Sequence, residues 1–165
     1  MIRLYLTKSE VEICTHVGKY RHAVTSQMGQ ERKQDTRQNG LQLSVNGVIT
    51  EYAVAKALNL HFDLNCDYRK FGADLVSRKG NTIDVKSTEK HGGNLNAVFW
   101  SNSKPADIFI LTEIHNSYIG LIGWIDRENF LHPENVRDVG NGNFYSLPQS
   151  QLFSLDDWIK VPGYA

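Results

Sequence analysis

The stretch FGADLVSRKGNTIDVKST, residues 71–88, decides the fold, because it has the pattern of two short strands joined by a glycine-containing turn. In the second strand, Asp84 and Lys86 are two residues apart and therefore point to the same face of a sheet. Ile83 and Val85 point the other way, and we expect them to face a core. The charged pair is either a surface ion pair, which contributes little to stability, or part of a polar site.

The length of the loop between the two strands decides whether Asp74 joins Asp84 and Lys86 on that face. Opposed residues in an antiparallel pair share a face, and the sum of their residue numbers is constant along the pair. A three-residue loop at 78–80 puts Asp74 opposite Asp84, and one at 79–81 puts it opposite Lys86. A two-residue loop would separate the carboxylates. The glycine common to both odd loops suits the left-handed backbone that such loops need.

A glutamate in a predicted helix is a further candidate for this site. The stretch NGVITEYAVAKALNL, residues 46–60, has helical periodicity, with Asn46 expected near its N-terminal cap. Glu51 falls in the middle of the apolar stripe, between Val48, Val54, Ala55 and Leu58. A carboxylate is seldom buried unless something pairs with it. A lysine or arginine in the core, or a helix of different phase, would also explain this position.

Two converging carboxylates beside a lysine have a definite chemistry. Facing carboxylates repel, and the pKa of one of them rises unless a cation lies between them. Oxygen ligands of this kind suit Mg²⁺ or Mn²⁺, which also accept phosphate oxygens as ligands. A neighbouring lysine can orient or deprotonate a water, or stabilise transition-state charge. These residue types therefore suit metal-dependent hydrolysis of a phosphodiester bond.

In this order, the helix glutamate, GAD and IDVK resemble the motifs of the PD-(D/E)XK nuclease superfamily. The resemblance covers about residues 44–125 and implies an α/β fold with an α-β-β-β-α-β core, a mixed central sheet flanked by helices. It also implies a single domain, with an N-terminal helical extension at about 1–43 and a C-terminal extension at about 126–165. Ala73 stands where the motif's proline would be, and the segment after Lys86 is short for the second core helix.

Carried over by residue, the resemblance makes Asp74 the first motif acid, Asp84 the second, Lys86 the motif lysine and Glu51 the helix glutamate. The metal ligands would be Asp74, Asp84, Glu51 and the backbone carbonyl of Val85. The implied cofactor is Mg²⁺, with Mn²⁺ as a substitute. The implied activity is nuclease action, with DNA favoured over RNA and endonuclease action, restriction-like or junction-resolving, favoured over other modes. The alternative is an inactive nucleic-acid-binding module with the same fold.

Other parts of the chain have simpler patterns. Residues 7–29 are predicted to form a helix that opens with Ser9 and Glu12 in capping-box spacing, with an apolar stripe of Val11, Cys14, Val17, Val24 and Met28. Residues 106–125 predict two strands around a turn at 115–117, and DRENFL predicts one helical turn. Trp158 is expected to anchor the C-terminal segment. His91, five residues after Lys86, could reach the site.

Composition limits the partners and the compartment. The chain of 165 residues has net charge zero, but residues 1–90 contain 14 Lys and Arg against 10 Asp and Glu, whereas the rest contains 4 against 8. The neutral total counts weakly against a nucleic-acid partner, whereas the basic half, which holds the IDVK motif, partly restores that interpretation. Arg32, Lys33 and Arg37 could contact phosphates, or could belong to a solvated connector. Without a membrane-length apolar run, a signal peptide or metal-spaced cysteines, we expect a soluble cytoplasmic protein without a membrane partner. A bacterial or phage origin is compatible with these features, and the protein could act as a homodimer.

Overall fold

A computed structural model of the chain describes residues 1–28, 39–67, 72–99, 106–140 and 142–160. The helices are α1 (Lys8–Gln27), α2 (Gly40–Leu58) and α3 (Arg127–Phe130), with short 3₁₀ turns at Pro133–Asn135, Gln149–Gln151 and Leu155–Lys160. The strands are β1 (Ile2–Leu4), β2 (Leu75–Val76), β3 (Thr82–Thr88), β4 (Leu95–Val98), β5 (Ile108–Ile114), β6 (Ile119–Asp126), β7 (Val136–Asp138) and β8 (Asn143–Leu147). The fold is mixed α/β, as the sequence predicts.

The main sheet has five strands in the order β1-β6-β5-β3-β2. Strands β3 and β5 run parallel, and the other neighbours are antiparallel. The predicted hairpin at 71–88 and the strand pair around the turn at 115–117 are both confirmed. Strand β1 was not predicted, because three residues carry too little periodicity to be distinguished from a loop.

Both faces of the main sheet are covered, which is typical where strands run parallel. On one face, Ile108 and Ile110 of β5 pack with Ala53 and Val54 of α2. Residues of β5 that alternate with these, Phe109 and Leu111, belong to a second cluster that includes Leu95, Tyr145 and Leu147 of the smaller sheet β4-β8-β7. The alternation along β5 therefore separates a helix-covered face from a sheet-covered face.

The second sheet differs from the expected core. Within the described residues, the chain between β3 and β5 forms strand β4, which pairs with β8, and no second core helix is seen there. The segment LNAV of β4 alternates buried and exposed residues, the period of a half-buried strand rather than of a helix. The described residues between α2 and β2 also contain no strand.

Helices α1 and α2 begin at residues other than those predicted. The capping box of α1 uses Thr7 and Glu10 rather than Ser9 and Glu12, because the chain is already helical at Lys8. Helix α2 begins at Gly40, with Asn39 as its N-cap, so Asn46 lies inside the helix. Along α1, Cys14 and Val17 are buried as predicted, whereas Val11 and Met28 are exposed.

The two long helices pack closely against each other. A Cβ atom on Gly18 of α1 would lie 2.7 Å from the Cα atom of Val45 in α2, so only glycine permits this approach. Trp158 is buried against Trp124 of β6, as predicted for the C-terminal segment. Cys14 and Cys66 are free thiols. None of the helices in the described ranges combines the length and hydrophobicity needed to span a bilayer.

Candidate active site on the β2–β3 hairpin

The hairpin has an odd loop. Leu75 pairs with Ile83 and Val76 with Thr82, so that opposed residue numbers have an even sum. The N–H of Ser77 donates to the carbonyl of Asn81 at 2.8 Å, which leaves the three-residue loop Arg78–Gly80. Gly80 has a φ of 87°, the left-handed backbone that the loop requires. Of the two odd loops, the structure has the one at residues 78–80. Its register, continued one residue beyond β2, would bring Asp74 opposite Asp84.

Asp84 and Lys86 form an ion pair on one face of β3. The ammonium Nζ of Lys86 lies 2.7 Å from Oδ2 and 2.9 Å from Oδ1 of Asp84. Asp84 is 4 % exposed, whereas the side chain of Lys86 keeps 25 % of its surface in solvent. The pair therefore has one buried and one accessible member, unlike an ordinary surface ion pair.

Asp74 lies where β2 has ended and the hairpin opens. Its backbone N–H donates to the carbonyl of Ile83 at 3.0 Å, and its Oδ2 accepts a hydrogen bond from the N–H of Val85 at 2.8 Å. The N–H and C=O of one strand residue point to the same side. The Val85 carbonyl therefore also points toward Asp74, at an edge that strand β2 no longer covers. The backbone position predicted as a metal ligand thus faces the carboxylate predicted as another.

The surroundings of Asp74 disfavour its ionised form. Burial raises the pKa of Asp74 well above its usual range, and the charges of Glu51 and Asp84 raise it further, while Lys86 lowers it. A hydrogen bond with Asp84 adds to the rise in pKa, because it favours the protonated form. Without a metal ion, the ionisation of Asp74 therefore depends on the charge state of Asp84.

Glu51 is held by a cation on the neighbouring helix. Nη1 of Arg21 lies 2.7 Å from Oε2 of Glu51, and the Glu51 side chain is only 14 % exposed. Arg21 also donates to the carbonyls of Asp63 at 2.8 Å and Asn65 at 3.3 Å. Glu51 therefore has a cationic partner, as its alternative explanation requires, although Arg21 is partly exposed. The negative charge of Glu51 still acts on Asp74, so Glu51 belongs to the same surroundings.

The pairing of Arg21 was not predicted, although the spacing of residues along α1 contained a signal for it. Cys14, Val17 and Arg21 are spaced as successive positions on one face of α1. An arginine that continues a buried stripe needs an acid, and Glu51 occupies the matching position on α2. The three residues at the hairpin are thus brought together directly, and the charge of Glu51 acts on Asp74.

His91 does not contact the hairpin residues. Its Nδ1 lies 2.7 Å from Oε1 of Glu113, on β5, and His115 Nε2 lies 2.9 Å from the same oxygen. This second cluster was not predicted, although Glu113 lies on β5 and His115, two residues on, directly follows the end of that strand. The predicted phosphate contacts of Arg32, Lys33 and Arg37 lie outside the described residues.

Comparison of the chain with protein families, with curated proteins and with solved structures finds no match in any of the three.

Proposed function

We propose that the protein is a metal-dependent nuclease that hydrolyses phosphodiester bonds in DNA. The observation that carries the proposal is the surplus of negative charge at the hairpin. Asp74 is hydrogen-bonded to Asp84, with Glu51 nearby. Lys86 pairs with Asp84 and Arg21 with Glu51, so three carboxyl groups share two cations. A buried carboxylate surplus is costly unless a cation balances it, so such a surplus indicates a site that takes up a metal ion.

The ligands present suit Mg²⁺, with Mn²⁺ as a substitute. The carboxylates of Asp74 and Asp84 and the carbonyl of Val85 offer only oxygen, the donor that these ions prefer. When bound there, the ion would neutralise charge on a phosphate and lower the pKa of a bound water. Uptake of the ion would favour the ionised form of Asp74, because a nearby positive charge lowers the pKa of a carboxyl group. Glu51 would orient a water ligand rather than bind directly, because Arg21 already holds one of its oxygens.

Lys86 has the accessibility that the chemical step requires. Its ammonium is held by Asp84, yet a quarter of its side chain is exposed. It can therefore orient the attacking water, or stabilise the negative charge that grows on the phosphate in the transition state. Asp84 would thus have two roles, as a metal ligand and as the group that positions Lys86.

Parts of the fold support a restriction-endonuclease-like core. Helix α2 carries Glu51 and packs on the sheet, β2 and β3 form the hairpin with the motif residues, and β5 lies parallel to β3. Strand β4 in place of a second core helix is a departure from that pattern. One such domain would nick a single strand, and cutting both strands of a duplex would need two copies.

The test is incubation of the purified chain with supercoiled plasmid, linear duplex, single-stranded DNA, branched DNA and RNA, each with Mg²⁺ or with EDTA. Asp84→Asn, purified in the same way and checked for folding by circular dichroism, is the matched control. We expect Mg²⁺-dependent cleavage of at least one DNA form by the wild type and none by Asp84→Asn.

Two results would overturn the proposal. Equal cleavage by the Asp84→Asn protein would assign the activity to a contaminant. Binding of nucleic acid by the wild type without cleavage of any form would instead favour the binding module. Cleavage of RNA alone would keep the site and change the substrate.

A further inference from the structure

Glu113 is a buried carboxylate with an unusual set of neighbours. It lies on β5 and is 1 % exposed. Its Oε1 is 2.7 Å from Nδ1 of His91 and 2.9 Å from Nε2 of His115. Its Oε2 accepts hydrogen bonds from the N–H of Gly92 at 3.1 Å and from Nε2 of Gln149 at 3.2 Å. One oxygen is therefore fixed by amide donors, while the other faces two imidazole nitrogens.

The His115 ring is positioned, yet its inner nitrogen makes no hydrogen bond. The ring stacks on Tyr118 with centroids 4.2 Å apart. Nε2 is buried and has no hydrogen-bond partner among the residues that the structure describes. Nε2 is only 2.9 Å from the Glu113 oxygen, a distance that would allow a hydrogen bond. The bond is absent because the nitrogen does not point at that oxygen. Buried polar atoms in proteins are nearly always bonded, so this nitrogen is available to a ligand.

We propose that His91, Glu113 and His115 form a binding site for a transition-metal ion of the Zn²⁺ class. Their three donor atoms all lie within 4.8 Å of one another. Two imidazole nitrogens and one carboxylate oxygen are a ligand set that suits Zn²⁺ and leaves the fourth position open. Mg²⁺, which prefers oxygen ligands, would not be expected there.

Each histidine nitrogen needs to move only slightly away from the Glu113 oxygen to accept an ion. Bonds of about 2.0–2.1 Å in a tetrahedral site put ligand atoms roughly 3.3 Å apart, compared with the present 2.7 and 2.9 Å. The side chain of His91 is 91 % exposed, so it can move by this amount. Gly92 and Gln149 hold the other oxygen of Glu113 and would act as the outer shell that orients a ligating carboxylate.

The site is separate from the hairpin but lies on the same face of the sheet. Lys86 pairs with Leu111, and Thr88 pairs with Glu113, in the parallel ladder of β3 and β5. Glu113 is thus two residues farther along the sheet than Lys86, about 7 Å in the strand direction. A metal ion there would fix the loop that carries His91 beside the candidate active site, whether or not that site cleaves DNA.

The test is titration of EDTA-treated, buffer-exchanged protein with ZnCl₂ in isothermal titration calorimetry, with excess Mg²⁺ present. We expect one Zn²⁺ per chain for the wild type. His91→Asn and His115→Asn should weaken binding at least about tenfold, as even the loss of an outer-shell partner does. His132→Asn is the matched control, because His132 is a half-exposed histidine beside a different glutamate, and it should bind like the wild type. Asp84→Asn should also keep its Zn²⁺ binding.

Substitution with Co²⁺ identifies the ligands. A visible d–d spectrum of tetrahedral nitrogen and oxygen ligands is expected, without the near-ultraviolet band of a thiolate. A thiolate band would assign the metal to Cys66 and overturn the proposal. Absence of stoichiometric binding, or unchanged affinity in His91→Asn, would also overturn it. Because His91 is exposed, that variant is expected to fold even if changes at the buried Glu113 do not.

Discussion

Two lysine–carboxylate pairs in this protein have nearly the same distance and opposite electrostatic surroundings. Lys56 on α2 lies 2.6 Å from Glu10 on α1, and Lys86 lies 2.7 Å from Asp84 on β3. The carboxylate of each pair is largely covered, and the lysine is the more exposed partner in both. Contact distance alone therefore does not separate the pair that joins two helices from the pair in the candidate active site.

The difference lies in the ratio of donors to carboxylates. Glu10 also accepts hydrogen bonds from the N–H of Thr7 at 2.7 Å and the hydroxyl of Tyr52 at 2.9 Å. Its hydrogen bond with Lys56, and then the one with Thr7, lower the pKa of Glu10 to about 2. At the hairpin, carboxylates outnumber the nearby lysine and the pKa of Asp74 is raised. A carboxylate with enough hydrogen-bond donors, such as Glu10, indicates a structural role. Carboxylates that outnumber the nearby cations indicate a site that takes up a cation.

The largest expected difference between the two pairs is the effect of removing each lysine on the cleavage rate. We expect Lys86→Ala to lower the single-turnover rate of Mg²⁺-dependent cleavage about 100-fold or more, because the chemical step loses an acid–base or electrostatic group. Lys56→Ala, which removes an ion pair of the same length, should cleave at the wild-type rate.

Binding measurements make this comparison sharper. Affinity for DNA in Ca²⁺ should change little in Lys86→Ala, since the loss of one phosphate contact lowers the salt slope by only about one unit. A parallel loss of affinity and rate would mean that Lys86 binds DNA rather than acting on the reaction. A slower Lys56→Ala enzyme would mean that the helix pair contributes to the site.

The stabilisation of the folded protein by Mg²⁺ should depend on the hairpin carboxylates and not on Glu10. At a concentration about 100 times its dissociation constant, a ligand of the folded state adds about 2.7 kcal/mol to the free energy of unfolding. For a chain of this size, that is a rise in Tm on the order of 5–10 °C. We expect this shift in thermal scans of the wild type and of Glu10→Gln, and its loss in Asp74→Asn. A full shift in Asp74→Asn would place the ion elsewhere.

The sequence predicted the two strands of the hairpin and the shared face of Asp84 and Lys86, because these follow from the strand period. Whether Asp74 joined them depended on the loop length, which stayed open: a two-residue loop would have separated the carboxylates, and Gly80 supplies a left-handed residue to either odd loop. The helical stripe placed Glu51 inside, but not its partner, because no local rule gives the packing of α1 on α2.

The remaining parts depend on contacts between distant segments. Strands β4, β7 and β8 are three to five residues long and pair across up to 52 positions, as Leu95 does with Leu147. Such short strands carry little periodicity, and their pairing depends on burial in the whole fold. The meeting of His91 with Glu113 has the same origin. The β3–β5 register and the turn at residues 90–93 bring them together, and neither was available from spacing.

The smallest effects should have opposite signs in metal-free protein. We expect Asp74→Asn to raise the free energy of unfolding near pH 7, on the order of 1 kcal/mol, because it removes a crowded charge while an amide oxygen can still accept from Val85. Glu10→Gln should lower the free energy of unfolding by about 1 kcal/mol, since solvent screens most of the ion pair.

The pH dependence of these two differences follows from the direction of each pKa shift. The folded-state pKa of Asp74 is raised above 3.8, so the penalty is present at neutral pH, shrinks as the pH falls below the folded-state pKa and is gone below about 3.8. The pKa of Glu10 is lowered from 4.5 to about 2, so its contribution is complete above 4.5 and is lost between those values. Urea unfolding at neutral pH and at about pH 3 measures both. The gain in Asp74→Asn and the deficit in Glu10→Gln should each shrink at the lower pH. If the gain in the free energy of unfolding of Asp74→Asn persists at about pH 3, it comes from packing and not from the removal of a charge. The hairpin carboxylates would then be no more crowded than Glu10 in the helix pair.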